Sequence, residues 1–97
     1  MSYRLSVEAE EDIIAIAEKG VRMFGAQHAR RYHDDLFALL DLLAYNPRIA
    51  RERVEIEPHV RVHPVEAHLI VYRIAEDETV FVIRIRHGNE DWVNDSL

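Results

Sequence analysis

The chain has no cysteine among its 97 residues. Disulfide frameworks, thiolate metal sites and cysteine nucleophiles are therefore excluded. Lysine is nearly missing too: of twelve basic residues, Lys19 alone is lysine and the rest are arginine. Glycine and proline number three each, too few for a low-complexity linker. No apolar run approaches the roughly 18 residues that a membrane span requires. The start, Met1-Ser2-Tyr3-Arg4, lacks the basic and long apolar segments of a secretory signal. These absences predict a cytoplasmic protein with no membrane contact.

What is present fits one compact domain over residues 1–97. The apolar fraction is 48% and the charged fraction 31%, as in ordinary globular chains. Eighteen acidic residues against twelve basic ones give a net charge of -6. An acidic chain is a poor general binder of nucleic acid, because phosphate contacts need a basic surface. No direct DNA binding by this chain alone is expected.

The first helix signal begins at Ser6, an N-cap followed by Glu8, Glu10, Glu11 and Asp12 where the helix dipole favours acid. Ile13, Ile16 or Ala17, Val21 and Phe24 recur at helical spacing, and Gly25 punctuates. A second helix is predicted from Gln27 to Tyr45, with Ala29, Tyr32, Leu36, Leu40 and Leu43 as its stripe. Asn46-Pro47 ends it. Past Pro47 the period changes to two. Strands are expected around Val60 and Val62, over Ala67 to Ile74 and over Val80 to Arg86, with Tyr3-Arg4-Leu5 as a short strand ahead of the helices. The resulting fold class is two-layer α+β: an N-terminal strand and helical hairpin packed on a mostly antiparallel four-stranded sheet.

Strict alternation assigns Phe81, Ile83 and Ile85, with Val60, Val62, Ile70 and Tyr72, to the helix-facing side. Arg61, Arg73, Arg84 and Arg86 then share the open face as a positive patch. Arginine and tryptophan are enriched in binding hot spots, so these four residues and Trp92 are the expected target-binding set. Apolar residues off the main helical stripes, Ile14, Met23, Leu39 and Leu42, are candidates for receiving a partner helix. No metal is expected. On a strand His59 and His63 stand about 13 Å apart, too far to share one ion. On a helix His28 and His33 lie on different faces.

Tyr3-Arg4-Leu5-Ser6 opens the chain, followed by Ala9 and Asp12-Ile13, and Phe24-Gly25-Ala26-Gln27 joins the helices. Leu43-Ala44-Tyr45-Asn46-Pro47 closes the second helix. Arg61, His68-Leu69-Ile70-Val71-Tyr72-Arg73-Ile74, Val82-Ile83-Arg84-Ile85-Arg86-His87-Gly88 and Asp91-Trp92 follow in the sheet half. In this order and spacing the sequence resembles the ParE branch of the RelE/ParE superfamily, toxins of bacterial type II toxin–antitoxin modules. The resemblance implies a toxin without cofactor, held in a hetero-oligomer by a cognate ParD-like antitoxin and directed at DNA gyrase. RelE-like relatives instead cut messenger RNA on the ribosome. In that alternative His87 would be the acid or base, with Arg61 and Arg84 as cations for the developing phosphorane charge. The acidic stretch after His87 disfavours phosphate beside it, so the binding reading, with no catalytic residue, is preferred. A non-toxic relative that only binds antitoxin is the third possibility.

Overall fold

The structure is a computed structural model, and it describes residues 2–88. Its elements run β1 (Tyr3–Leu5), α1 (Val7–Phe24), α2 (Ala26–Tyr45), β2 (Glu52–Arg53), β3 (Val60–Val65), β4 (His68–Ile74) and β5 (Val80–His87). They form one five-stranded sheet in the order β1-β5-β4-β3-β2, with a helical hairpin on one side. β1 runs parallel to β5, and every other pairing is antiparallel. The fold class is the expected one, with one more strand than foreseen. The addition is two-residue β2, paired with Arg61 and Val60 at the sheet edge. Two residues carry no periodicity, so sequence pattern could not reveal them. Among the described residues no helix is long and apolar enough to cross a membrane.

Ser6 joins the layers. Its Oγ accepts from the Ala9 N–H at 2.9 Å, capping α1. The same hydroxyl donates to the Ile83 carbonyl at 2.6 Å, and the Ser6 N–H donates to Val82 O at 3.0 Å. One residue thus closes the β1–β5 ladder and opens the helix. Gly25 is the whole α1–α2 connection. Its φ of 88° and ψ of 162° lie where glycine alone sits without strain. Its N–H closes α1 onto Val21 O, and its carbonyl receives the Ala29 N–H of α2.

The main core lies between hairpin and sheet. Leu36, Leu40 and Leu43 of α2 and Ala9 and Ile13 of α1 meet Ile70, Tyr72, Val80, Val82 and Ile85. A second cluster lies on the opposite sheet face, where Ile56 covers Val60 and Val71 beside Val62, Leu69 and Ile83. The chain leading to Ile56 is tied down by Arg53 and Arg51 on Glu55, and the Arg53 hydrogen bond holds that carboxyl at about 2, well below the usual range.

Two expected facings are corrected. In β5 the pattern changes parity, because the register slips between Val71 and Tyr72 and leaves Ile83 as an extra residue. Val80 and Val82 therefore join Ile85 in the main core, while Phe81 and Ile83 lie on the other face. In β3, Val60 and Val62 also belong to that other face. The sheet has apolar cover on both sides, so apolar parity alone did not identify the helix side.

Candidate functional site

The hairpin and the sheet part at one end of the molecule. Gly20 packs against Ala29, where an added Cβ would stand 3.3 Å from the Ala29 Cβ, so the helices meet closely there. On the sheet side, the end of β5 and the β3–β4 turn line the opening. Between these elements opens a cleft of about 770 Å³. Ile16, Met23 and Phe24 of α1, Ala29 and Leu36 of α2 and Ile85 of β5 give it an apolar lining. Met23 and Phe24 stand 59% and 61% exposed at its rim. That size and lining suit an apolar ligand or a helix laid into a groove.

Three polar groups of the cleft, Tyr32, His68 and His87, meet where α2 faces β4 and β5. The Tyr32 hydroxyl donates to Val65 O at 3.1 Å and pairs with His68 Nδ1. The His68 and His87 rings, opposite one another across β4 and β5, meet edge-on at 5.2 Å. Burial pushes the Tyr32 phenol up to about 12, with the Glu66 charge adding to the shift. His28 stacks on Phe24 and His33 on Phe37, both on the helical side. Among the described residues no three His, Asp or Glu side chains are grouped to hold a metal ion.

Register keeps Arg73, Arg84 and Arg86 on the expected far face, opposite Phe81, Val71 and Leu69, and moves Arg61 off it, but the far-face three do not make an exposed patch. Arg84 turns to α1, where its Nε and Nη2 donate to Asp12 Oδ2 and Oδ1 at 2.8 and 2.9 Å. Asp12 Oδ2 also accepts the Ile85 N–H at 2.9 Å. Asp12 thereby seals the β5 edge beyond the short β1. Arg86 is buried at 8% exposure. Arg61 pairs in register with Tyr72, a main-core residue, and so lies on the helix side, with Nη1 donating to Ala50 O at 2.6 Å. Arg73 alone of the four is exposed on the far face. Trp92 lies outside the described residues.

Nor do the alternative's three residues converge. His87 sits opposite His68, and Arg61 opposite Tyr72, four residues further along β4. That is about 13 Å along the strand. Arg84 is held between them by Asp12.

Of the apolar candidates, Met23 lines the cleft. Ile14 and Leu42 are exposed elsewhere on the helices, and Leu39 packs against the main core rather than being left over from it.

Sequence reasoning missed one arrangement altogether. Arg4, Phe81 and Arg73 stand in register across β1, β5 and β4. The two guanidinium carbons lie 5.5 and 5.1 Å from the centre of the Phe81 ring. The parity change in β5 put Phe81 on the wrong side in the sequence reading, which hid the row.

Comparison with known proteins gives consistent findings. Residues 3–92 match the family described as ParE toxin of type II toxin-antitoxin system, parDE. Toxin ParE1 of Mycobacterium tuberculosis (strain ATCC 25618 / H37Rv) is 32% identical over 89 residues, covering 92% of this chain and 91% of that protein. The same figures hold for Toxin ParE1 of Mycobacterium tuberculosis (strain CDC 1551 / Oshkosh). A chain of the solved chromosomal ParDE TA system from P. aeruginosa superposes with a TM-score of 0.75 at 23% identity, covering 90% of this chain and 95% of that one. At that identity the superposition speaks for the fold.

Proposed function

The chain belongs to the ParE toxin family of type II toxin–antitoxin systems, and on that premise we propose that it acts in the cytoplasm by inhibiting DNA gyrase, blocking replication until a cognate ParD-like antitoxin binds it. Binding to a large target needs a complementary surface and no reacting side chain. The observation that carries this reading over ribosome-dependent RNA cleavage is the dispersal of Arg61, Arg84 and His87. Cleavage through a 2′-hydroxyl needs an acid, a base and cations about one phosphate. Here one arginine is occupied by a carboxylate and another lies about 13 Å along the sheet from the histidine.

The apolar cleft is the proposed antitoxin seat. An amphipathic helix laid there would bury Met23 and Phe24 and close the gap over Ile85. Ile14 and Leu42, exposed on the same two helices, would extend the contact to the rest of a wrapping antitoxin. Arg73 is the residue of the expected target-binding set that stays accessible on the sheet.

Induction of the chain alone in bacteria tests the proposal, with the DNA-damage response and transcript integrity scored in the same cells. Filamentation, a damage response and intact transcripts are expected, and co-expressed antitoxin should abolish all effects. Codon-positioned transcript cleavage without DNA damage would sink the gyrase reading. Normal growth with folded protein accumulating would point to the antitoxin-binding relative without toxicity.

A further inference from the structure

Most arginines of the sheet and its loops are engaged within the molecule. Arg48 pairs with Glu78, Arg53 with Glu55, Arg61 with a carbonyl and Arg84 with Asp12, and Arg86 is buried. Arg4 and Arg73 differ. Both are exposed, and neither has a carboxylate within 4.0 Å among the described residues. The nearby Asp77 carboxylate instead accepts the Thr79 N–H at 3.0 Å, while still influencing Arg4 electrostatically. The two guanidinium groups both lie against one phenyl ring. Their positions follow from strand register, with Arg4 and Arg73 flanking Phe81 on its two neighbouring strands. Val80, Val82 and Tyr72 face the main core, so this row faces away from the helices and from the cleft.

We infer that Arg4, Phe81 and Arg73 form a clamp for an acidic segment of the toxin's protein target. The clamp rests on the reading of the chain as an inhibitor that works by binding. Two planar cations match one or two carboxylates bidentately. Stacking on Phe81 restricts both side chains beforehand, so less freedom is lost when a partner arrives. Duplex DNA fits less well. Its affinity comes largely from phosphate contacts made by a basic surface, and this chain carries a net charge of -6. A second copy brings the same net charge and the same repulsion.

The test is the full chain with Arg4→Gln and Arg73→Gln together, and Phe81→Leu separately. The readouts are growth arrest on induction, inhibition of supercoiling by purified DNA gyrase, and affinity for the ParD-like antitoxin, which also certifies folding. The double variant should need at least about tenfold more inducer for half-arrest, as for loss of paired hot-spot arginines. Antitoxin affinity should stay within twofold, because the cleft is on the other side. Phe81→Leu should give a smaller loss of the same kind. Arrest lost by the double variant, with gyrase untouched even by the wild type, would uphold the clamp and remove the gyrase reading. Arrest and gyrase inhibition both unchanged in the double variant would overturn the clamp and leave that reading standing. A folded wild-type chain that never arrests growth would overturn both. Arginine-dependent retention of a duplex DNA probe, or of a second copy, would overturn the assignment to an acidic protein segment.

Discussion

Removal of the Asp12 carboxylate should be among the most damaging polar substitutions in the described structure. Asp12 accepts three hydrogen bonds: two from Arg84 and one from the Ile85 N–H. The Arg84 and Asp12 side chains are only 22% and 16% exposed, so water replaces little of what is lost. In Asp12→Ala a strand-edge N–H loses its partner, at about 1–3 kcal/mol, and a largely buried guanidinium loses the Asp12 charge beside it. Allowing for the remaining exposure, the sum is about 3–4 kcal/mol. For a domain of this size that lowers Tm by roughly 15–25 °C. Asp12→Asn keeps an oxygen for the Ile85 N–H and should cost about 1–2 kcal/mol. Urea unfolding followed by circular dichroism measures both, and a cycle with Arg84→Ala should return a coupling above about 1 kcal/mol. An Asp12→Ala variant within about 0.5 kcal/mol of wild type would refute the reasoning, reducing the pair to an ordinary surface bridge. The same logic governs activity: lost toxicity in Arg84→Ala reports the fold unless stability is measured beside it.

Three further outcomes are expected. Gly25→Ala meets no atom within 4 Å, yet its φ of 88° should cost about 1–3 kcal/mol from the backbone alone, and differential scanning calorimetry should show the fall in Tm. Burial raises the Tyr32 phenol to about 12 and pushes Tyr3 and Tyr72 up as well, so the folded state favours their neutral forms. That stability is fully present below the ordinary tyrosine value near pH 10 and is lost as pH rises toward 12. Absorbance titration at about 295 nm alongside urea midpoints should show this, and Tyr32→Phe should flatten the alkaline fall. Met23→Lys, at an exposed cleft position near a helix C-terminus, should leave stability within about 0.5 kcal/mol. It should weaken ParD-like antitoxin binding at least about tenfold in calorimetric titration, and unchanged affinity would move the antitoxin seat away from the cleft.

The helices were legible because their signals are local and redundant. Ser6 caps as its sequence position promised, Gly25 turns, and the Leu36-Leu40-Leu43 stripe is buried. The sheet was legible in its strands and not in its faces. One extra residue at Ile83 reverses half of β5, and no composition rule announces a bulge. Val60 and Val62 misled for another reason: Ile56 supplies a second apolar cover from a segment without periodicity. The arginine patch inherited only the β3 error, which moved Arg61 to the helix side; Arg73, Arg84 and Arg86 keep the expected face by register, and burial and Asp12 withdraw the last two from the surface. Asp12 was read as a helix-dipole residue, and its partner lies 72 positions away, beyond what spacing along a chain can reveal. The Arg4-Phe81-Arg73 row needs three strands in register before it exists at all.

The pairing of β1 with β5 has a consequence for synthesis. Tyr3 finds its partner at Val80, and the Ser6 hydroxyl reaches Ile83 across 77 positions of sequence. A chain emerging from the ribosome therefore carries its first strand unpaired until β5 has been made. The helical hairpin can form early from neighbouring residues, while the sheet must await its last strand, a slow, long-range closure. A product released before residue 80 lacks the partner of β1, the Ile85 and His87 side of the cleft and the middle of the arginine row together. Such a fragment would be without the proposed target surface, which comes into being only when β5 closes the sheet.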